Sequence, residues 1–343
     1  MTAVVIHAAH DLRVEPHEAP DPGPGEVRIR IQRGGICGSD LHYYHAGGFG
    51  TVRVRQPMVL GHEVAGVVDA VGAGVTHVTP GDAVAVNPSL PCGTCAQCLA
   101  GRPIHCLDMR FLGSAMRMPH VQGAFRSRYT CEAARAVKLP AGLAVERAAF
   151  AEPLSVCLHA GAQAGPLLGA RVLVTGSGPI GVLCAAVARL GGAREVVVTD
   201  LVAAPLAVAR AMGADRTHAL RDDPDALAPY AAGKGHFDVA FEASGSGAAL
   251  VGALAVMRPG GTIVQVGVGG DAALPLSAVV AREIALRGSF RFHAEFGNAV
   301  EVLASGRLDP SPLLSEVVPA AEAVRAFDLA GDRTRAMKVQ LAF

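Results

Sequence analysis

The sequence predicts a two-domain α/β protein, with a β-rich domain followed by a doubly wound parallel sheet. Three observations lead there. The chain has 343 residues, room for about two domains at roughly 100–200 residues each. In the first part Val27, Ile29 and Ile31 alternate with Arg28 and Arg30, the period-two pattern of a half-buried strand. From Gly169 onward, short continuous apolar runs alternate with helical stretches.

Taken in order, the first region is punctuated by turn signals at Gly34-Gly35, Gly47-Gly48, Pro80-Gly81-Asp82 and Pro88. The apolar runs of the second region are Arg171–Thr175, Glu195–Thr199, Phe237–Phe241 and Thr262–Val266. Helical stretches Pro179–Leu190, Ala203–Met212 and Ser246–Met257 separate them. Strands buried on both faces and joined by helices argue a parallel sheet with right-handed crossovers. After Ser289 the pattern lapses, and the tail from Arg291 is expected to return to the first domain. The expected division is 1–155 with 293–343, and 156–292. No internal repeat is present.

Thirty Lys+Arg balance thirty Asp+Glu, so nothing in the charge calls for nucleic acid or an anionic membrane. A mean hydropathy of +0.35 invites a membrane reading. The long uncharged stretches, however, are broken by Gly165-Pro166 and by Gly176-Ser177-Gly178-Pro179. They leave no unbroken span of about 20 apolar residues, and Met1–His10 has no leader pattern. The expectation is a soluble cytoplasmic protein without membrane or nucleic-acid partners. Of eight cysteines, Cys92, Cys95, Cys98 and Cys106 are clustered, which in a reducing compartment reads as a metal site rather than bridges.

Gly176-Ser177-Gly178-Pro179-Ile180-Gly181 follows a strand, opens a helix, and precedes Asp200 at the end of the next strand. This context makes a common glycine motif a dinucleotide-binding, Rossmann-type site. Gly176 permits the turn, Gly178 lets pyrophosphate approach the backbone, and Gly181 lets helix and strand pack closely. Free N–H groups at the helix N-terminus, where Pro179 suits the first turn, attract phosphate. Asp200 is expected to accept from the adenosine ribose hydroxyls. A 2′-phosphate would meet that charge with no Arg in Leu201–Pro205 to offset it, so NAD is expected over NADP.

Four thiolates spaced as Cys92-x-x-Cys95-x-x-Cys98…Cys106 suit closed tetrahedral zinc, a structural site. The surrounding segment is poor in large apolar residues, so metal supplies its folding energy. A second constellation joins Cys37, Ser39 and His42 with His62-Glu63 and Glu152. Cys37, His62 and a carboxylate make a three-ligand set with one open position, the arrangement of a catalytic zinc. Two zinc ions per chain are expected.

Gly61–Val75 (GHEVAGVVDAVGAGV), with the thiol lobe and the nucleotide motif, resembles the medium-chain alcohol dehydrogenase superfamily. Glu152, standing where many of those enzymes have cysteine, resembles the polyol dehydrogenase branch. The segments Gly34–Tyr44, Pro57–Val64, Asp108–Met116, Pro119–Gly123 and Gly288–Phe292 are similar to the L-idonate 5-dehydrogenase family within it. The resemblance implies a GroES-like catalytic domain completed by the C-terminal segment, an interdomain active site, and a homo-oligomer of two or four chains. It implies hydride exchange between NAD and a sugar acid, L-idonate to 5-keto-D-gluconate, or alternatively a sorbitol- or xylitol-type polyol. A non-catalytic NAD-binding zinc protein is the remote alternative; it should lose part of the reacting set, yet Cys37, Ser39, His42, His62, Glu63 and Glu152 are all present. Zinc would act as Lewis acid on the substrate hydroxyl, with Ser39 taking the proton and His42 releasing it to solvent by way of the coenzyme ribose. Glu63 and Glu152 are both assigned to the zinc shell. Tyr43, Arg110, Arg117, His120 and Arg291 are expected to contact substrate, and Val266, Gly267 and Arg291 the coenzyme. Arginine is the residue that grips a carboxylate bidentately.

Overall fold

The computed structural model describes residues 1–343. Strand Glu26–Gly35 buries Val27, Ile29 and Ile31 completely, while Arg28 and Arg30 reach towards solvent. Around it forms a seven-stranded sheet. Glu63–Val71, Arg128–Glu132 and Lys338–Ala342 all pair with it antiparallel. The last of these shows the C-terminal segment returning to the first domain, where Leu314–Pro319 adds the edge strand.

The second sheet has six strands, all parallel. In spatial order they are Arg216–Ala219, Glu195–Asp200, Arg171–Thr175, Phe237–Glu242, Met257–Gln265 and Ala285–Gly288. Val172, Leu173, Val174 and Val196, Val197, Val198 have no exposed surface, as a sheet covered on both faces requires. The strand order reverses beside Arg171–Thr175, and ligands of such sheets lodge at the carboxyl ends flanking that reversal.

Two strands of this sheet escape the sequence pattern, Arg216–Ala219 and Ala285–Gly288. Both are four-residue edge strands with polar or charged side chains, so neither forms an apolar run. The lapse of pattern after Ser289 is also only apparent. Helix Glu295–Ala304 precedes the two returning strands, and helix Ala323–Gly331 lies between them. The division expected between 155 and 156 falls inside helix Ala151–Ala164. That helix packs on Pro179–Leu190 and on Glu295–Ala304, and one continuous core runs from Ala65, Ala85 and Phe111 through it to Val172 and Val198. Its burial explains why no linker composition marks the junction.

Candidate active site

Helix Gly38–Ala46 begins at Cys37, and strand Glu63–Val71 begins just after His62. Asp40 clamps these two starts together. Its fully buried carboxylate accepts Cys37 N–H at 3.0 Å and Gly61 N–H at 3.3 Å. Gly61 has φ +93°, and a Cβ there would lie 2.0 Å from the Phe125 ring, so only glycine delivers His62 in this direction. The Cys37 sulfur, a His62 ring nitrogen and a Glu63 oxygen consequently lie within 4.8 Å of one another.

The electrostatics are those of a site awaiting a cation. Burial pushes the Cys37 thiol up to about 12, with the neighbouring Glu63 charge adding to the effect. Burial raises the Glu152 carboxyl to about 8, opposed by His62 and reinforced by Glu63 and Cys37. His62 Nδ1 is buried without a hydrogen-bond partner, 3.8 Å from Asp40 Oδ1. Lys338 Nζ, itself buried, binds both Glu63 oxygens at 2.8 and 2.7 Å and Ile36 O at 3.0 Å. A thiol and carboxyl groups crowded together, with a single ammonium among them, are the donor set that a divalent ion would draw into the ionised state. Removing one partner of a buried pair such as Lys338–Glu63 costs about 3–5 kcal/mol.

Asp40 and Lys338 are the two site residues that sequence reasoning missed. Asp40 stands inside the motif Cys37–His42 but resembles any helix N3 acid, and Lys338 lies 275 positions from its partner Glu63. One of three lysines in the chain opening the final strand, beside the apolar Val339 and Leu341, was the available signal.

Ser39 and His42 lie three residues apart on the same helix, hence on one face, with Ser39 half-buried and His42 exposed beside Phe49. The gradient from buried to solvated suits a proton path outward. The four sulfurs of Cys92, Cys95, Cys98 and Cys106 lie within 4.8 Å of one another. The Cys95–Cys106 separation is 3.9 Å, close to the spacing of about 3.8 Å set by tetrahedral zinc–sulfur bonds of about 2.3 Å. Backbone N–H groups of Cys92, Cys95, Leu107 and Asp108 point at these sulfurs. All eight cysteines are free.

At the glycine loop, a Cβ on Gly181 would sit 1.8 Å from Gly176 O, whereas one on Gly178 would meet nothing within 4 Å. The first contact is the close helix–strand packing expected; the second leaves an open cradle at the N-terminus of helix Pro179–Leu190. Ser177 Oγ is buried there without a partner. Val266 and Gly267 follow strand Met257–Gln265 and donate their N–H groups to Glu242 O, close to the same edge. Asp200 Oδ2 accepts Ser177 N–H at 2.7 Å and, unexpectedly, Arg333 Nη2 at 2.6 Å. The expectation that no arginine offsets Asp200 holds for Leu201–Pro205 but not for the folded chain.

The expected substrate residues separate. Arg117 is committed to Leu107 O, Met109 O and Asp108, which holds its own loop. His120 is buried, accepting Arg55 N–H at Nε2 and bonding Arg117 O at Nδ1, so both nitrogens serve backbone. Tyr43 is buried with its hydroxyl accepting Ala115 N–H at 3.0 Å. Arg110 is exposed and alternates with Phe111, which places it on the opposite face of their short strand. In the first three cases neighbouring backbone groups or an aspartate occupy the group that sequence assigned to a ligand, whereas the Arg110 side chain is exposed. Arg291 differs. Its guanidinium lies 4.2 Å over the Phe111 ring, has no carboxylate partner, and lines a cavity of about 460 Å³ with Phe111, Ser114 and Met116. Phe111 in turn packs against the His62 ring at 5.5 Å, so the cavity adjoins the ligand cluster.

Residues 23–141 match the alcohol dehydrogenase GroES-like domain and residues 179–305 the zinc-binding dehydrogenase domain. The L-idonate 5-dehydrogenase (NAD(P)(+)) of Escherichia coli is 45% identical over 317 residues, 92% of this chain and 91% of that protein. The chain belongs to the zinc-dependent medium-chain dehydrogenase family. The sorbitol dehydrogenase of Gallus gallus is 40% identical over 330 residues, 95% of this chain and 92% of that protein. The crystal structure of Escherichia coli L-idonate 5-dehydrogenase superposes with a TM-score of 0.94 at 42% identity, covering 100% of this chain and 98% of that one. This dehydrogenase is therefore a zinc-dependent oxidoreductase working with a nicotinamide coenzyme, built from a GroES-like and a Rossmann domain. None of its helices is long and apolar enough to cross a membrane.

Proposed function

We propose that this dehydrogenase interconverts a secondary alcohol and a ketone on a sugar acid, with L-idonate and 5-keto-D-gluconate as the pair and NAD as coenzyme. The observation that carries the substrate class is Arg291, an unpaired guanidinium beside the ligand cluster. Burial lowers its pKa to about 10, opposed by the Glu152 charge, which still leaves it charged at neutral pH. A partly buried arginine with no carboxylate in ion-pair contact is matched by a substrate carboxylate, which sorbitol lacks. Its backbone is held at φ +54°, a conformation that costs a non-glycine residue about 1–3 kcal/mol and that aims the side chain over Phe111.

Cys37, His62 and Glu63 would hold the catalytic zinc with Glu152 in the shell, and Cys92, Cys95, Cys98 and Cys106 a structural one. Bound there, zinc supplies Lewis-acid polarisation of the reacting oxygen, and the nicotinamide takes up or returns hydride. Asp40 lies 3.8 Å from the His62 ring and holds the Cys37 and Gly61 backbone on either side of the site. Ser39 would accept the substrate's hydroxyl proton while giving up its own by way of the coenzyme ribose to His42, which releases a proton to solvent. Gly176–Gly181 cradles the pyrophosphate and Asp200 the adenosine ribose. A homo-oligomer is supported by strand Ala285–Gly288, an unpaired sheet edge flanked by exposed Leu276, Val280, Leu286 and Phe290. Free cysteines throughout accord with a cytoplasmic setting.

A polyol substrate is the second reading, favoured by the sorbitol dehydrogenase similarity. Initial rates on L-idonate, 5-keto-D-gluconate, sorbitol and xylitol with each coenzyme separate the two. L-Idonate should give the highest kcat/KM, and Arg291→Ala should lower it about tenfold to a hundredfold through KM. Sorbitol turnover should change little in that variant. A wild-type preference for sorbitol, or equal losses on both substrates, would refute the sugar-acid assignment.

A further inference from the structure

We propose that Arg333 sets how well this dehydrogenase tolerates a phosphate on the adenosine ribose, and hence how far NADP can replace NAD. The proposal rests on the reading of Gly176–Gly181 and Asp200 as the dinucleotide site. Asp200 ends strand Glu195–Asp200 with its side chain buried. Its Oδ1 accepts Val202 N–H at 3.2 Å, and its Oδ2 accepts Ser177 N–H at 2.7 Å and Arg333 Nη2 at 2.6 Å. A carboxylate offers about four acceptor positions, so three are already filled. A ribose presenting two hydroxyls needs two, and one of the three donors must withdraw.

Ser177 and Val202 are backbone donors fixed by the strand ends and the glycine loop. Arg333 is different: it comes from 133 residues downstream, and its side chain is 57% exposed. The loop that carries it, between helix Ala323–Gly331 and strand Lys338–Ala342, is braced at its base. Thr334 donates to Asp332 Oδ1 from N at 3.0 Å and from Oγ1 at 2.6 Å, and Arg335 and Ala336 donate to Asp332 O. The main chain is thus held while the guanidinium has solvent to swing into, and it is the partner that yields to the ribose.

Charge gives that swing its consequence. A lone Asp200 repels a 2′-phosphate carrying about −1.5 to −2 charges. Paired with Arg333, the subsite sums to zero. Displaced from Asp200 by the ribose, the guanidinium remains alongside the 2′ oxygen and offers it charge-assisted donors. The segment Leu201–Ala209, which leaves the end of this strand, contains no Lys or Arg, so Arg333 supplies the compensation from another domain.

The test is calorimetric titration of wild type, Arg333→Ala and Arg333→Lys with 5′-AMP, adenosine 2′,5′-bisphosphate, NAD and NADP at fixed ionic strength. Wild type should bind the bisphosphate within about tenfold of AMP. Arg333→Ala should lose about tenfold to a hundredfold on the bisphosphate and on NADP, while AMP and NAD bind as well or better through the vacated acceptor position. Arg333→Lys should recover part of the bisphosphate affinity, which also shows that the loop still folds. Parallel changes on both nucleotides, no change on either, or a wild type that discriminates a hundredfold against the bisphosphate overturns the proposal. A wild type that binds none of the four instead overturns the dinucleotide reading beneath it.

Discussion

Cys37 and Glu152 are held in protonated states by the burial that makes them useful. Without metal the thiol titrates at about 12 and the carboxyl at about 8, so at pH 7 both carry protons. A cation entering the cluster must expel them, which ties zinc affinity to pH. We expect calorimetric titration of zinc into metal-free protein, in buffers of differing ionisation enthalpy, to report one to two protons released at this site at about pH 7. Affinity should rise with pH up to about 8, above which Glu152 is already ionised and the slope decreases. Glu152→Gln should remove the smaller part of the release; unchanged stoichiometry in that variant would place Glu152 outside the metal's shell. At this scale the four clustered cysteines were legible from spacing alone, and Cys37, His62 and Glu63 from their donor types together with the resemblance of their segments to the dehydrogenase family. Asp40 and Lys338 were not, since one hides in a helix start and the other arrives from the opposite end of the chain. Arg117 and His120 show the converse: a residue type suited to a substrate can be consumed by neighbouring carbonyls and amides.

The nucleotide loop and its helix separate fold from function at two positions three residues apart. Gly181 faces Gly176 O at a distance that admits no Cβ, and Gly178 faces open space. Gly178→Val should therefore leave the melting temperature within about 2 °C of wild type and weaken NADH binding, followed by coenzyme fluorescence, at least tenfold. Gly181→Ala should lower the melting temperature by several degrees, since overpacking costs about 1–3 kcal/mol. A stable Gly181→Ala variant, or tight NADH binding by Gly178→Val, would contradict this division. Strands and helices here were legible wherever apolar runs were long. The edge strands Arg216–Ala219 and Ala285–Gly288 were not, because half-exposed strands need no continuous hydrophobicity.

For the whole molecule, the exposed apolar side chains along one rim of the parallel sheet are its clearest invitation to self-association. Leu286 on the edge strand is 47% exposed and Val280 on the adjacent helix 77%. Replacing both by lysine should reduce the mass measured by light scattering to a smaller species, with zinc content unchanged. An unaltered mass would move the interface elsewhere. The return of the C-terminal segment was legible only in outline, because strand pairing across more than 300 residues, as between Gly35 and Gln340, leaves no trace in local pattern.

Helix Ala151–Ala164 carries Glu152 in its first turn and leans on the nucleotide-loop helix along its length. At 1.5 Å per residue it is a lever arm of about 21 Å, so a tilt of about 5° at its far end displaces the Glu152 end by about 2 Å. Whatever reorients the coenzyme lobe would therefore also shift Glu152 relative to the Cys37, His62 and Glu63 cluster, so that seating the dinucleotide and arming the chemistry become one mechanical event.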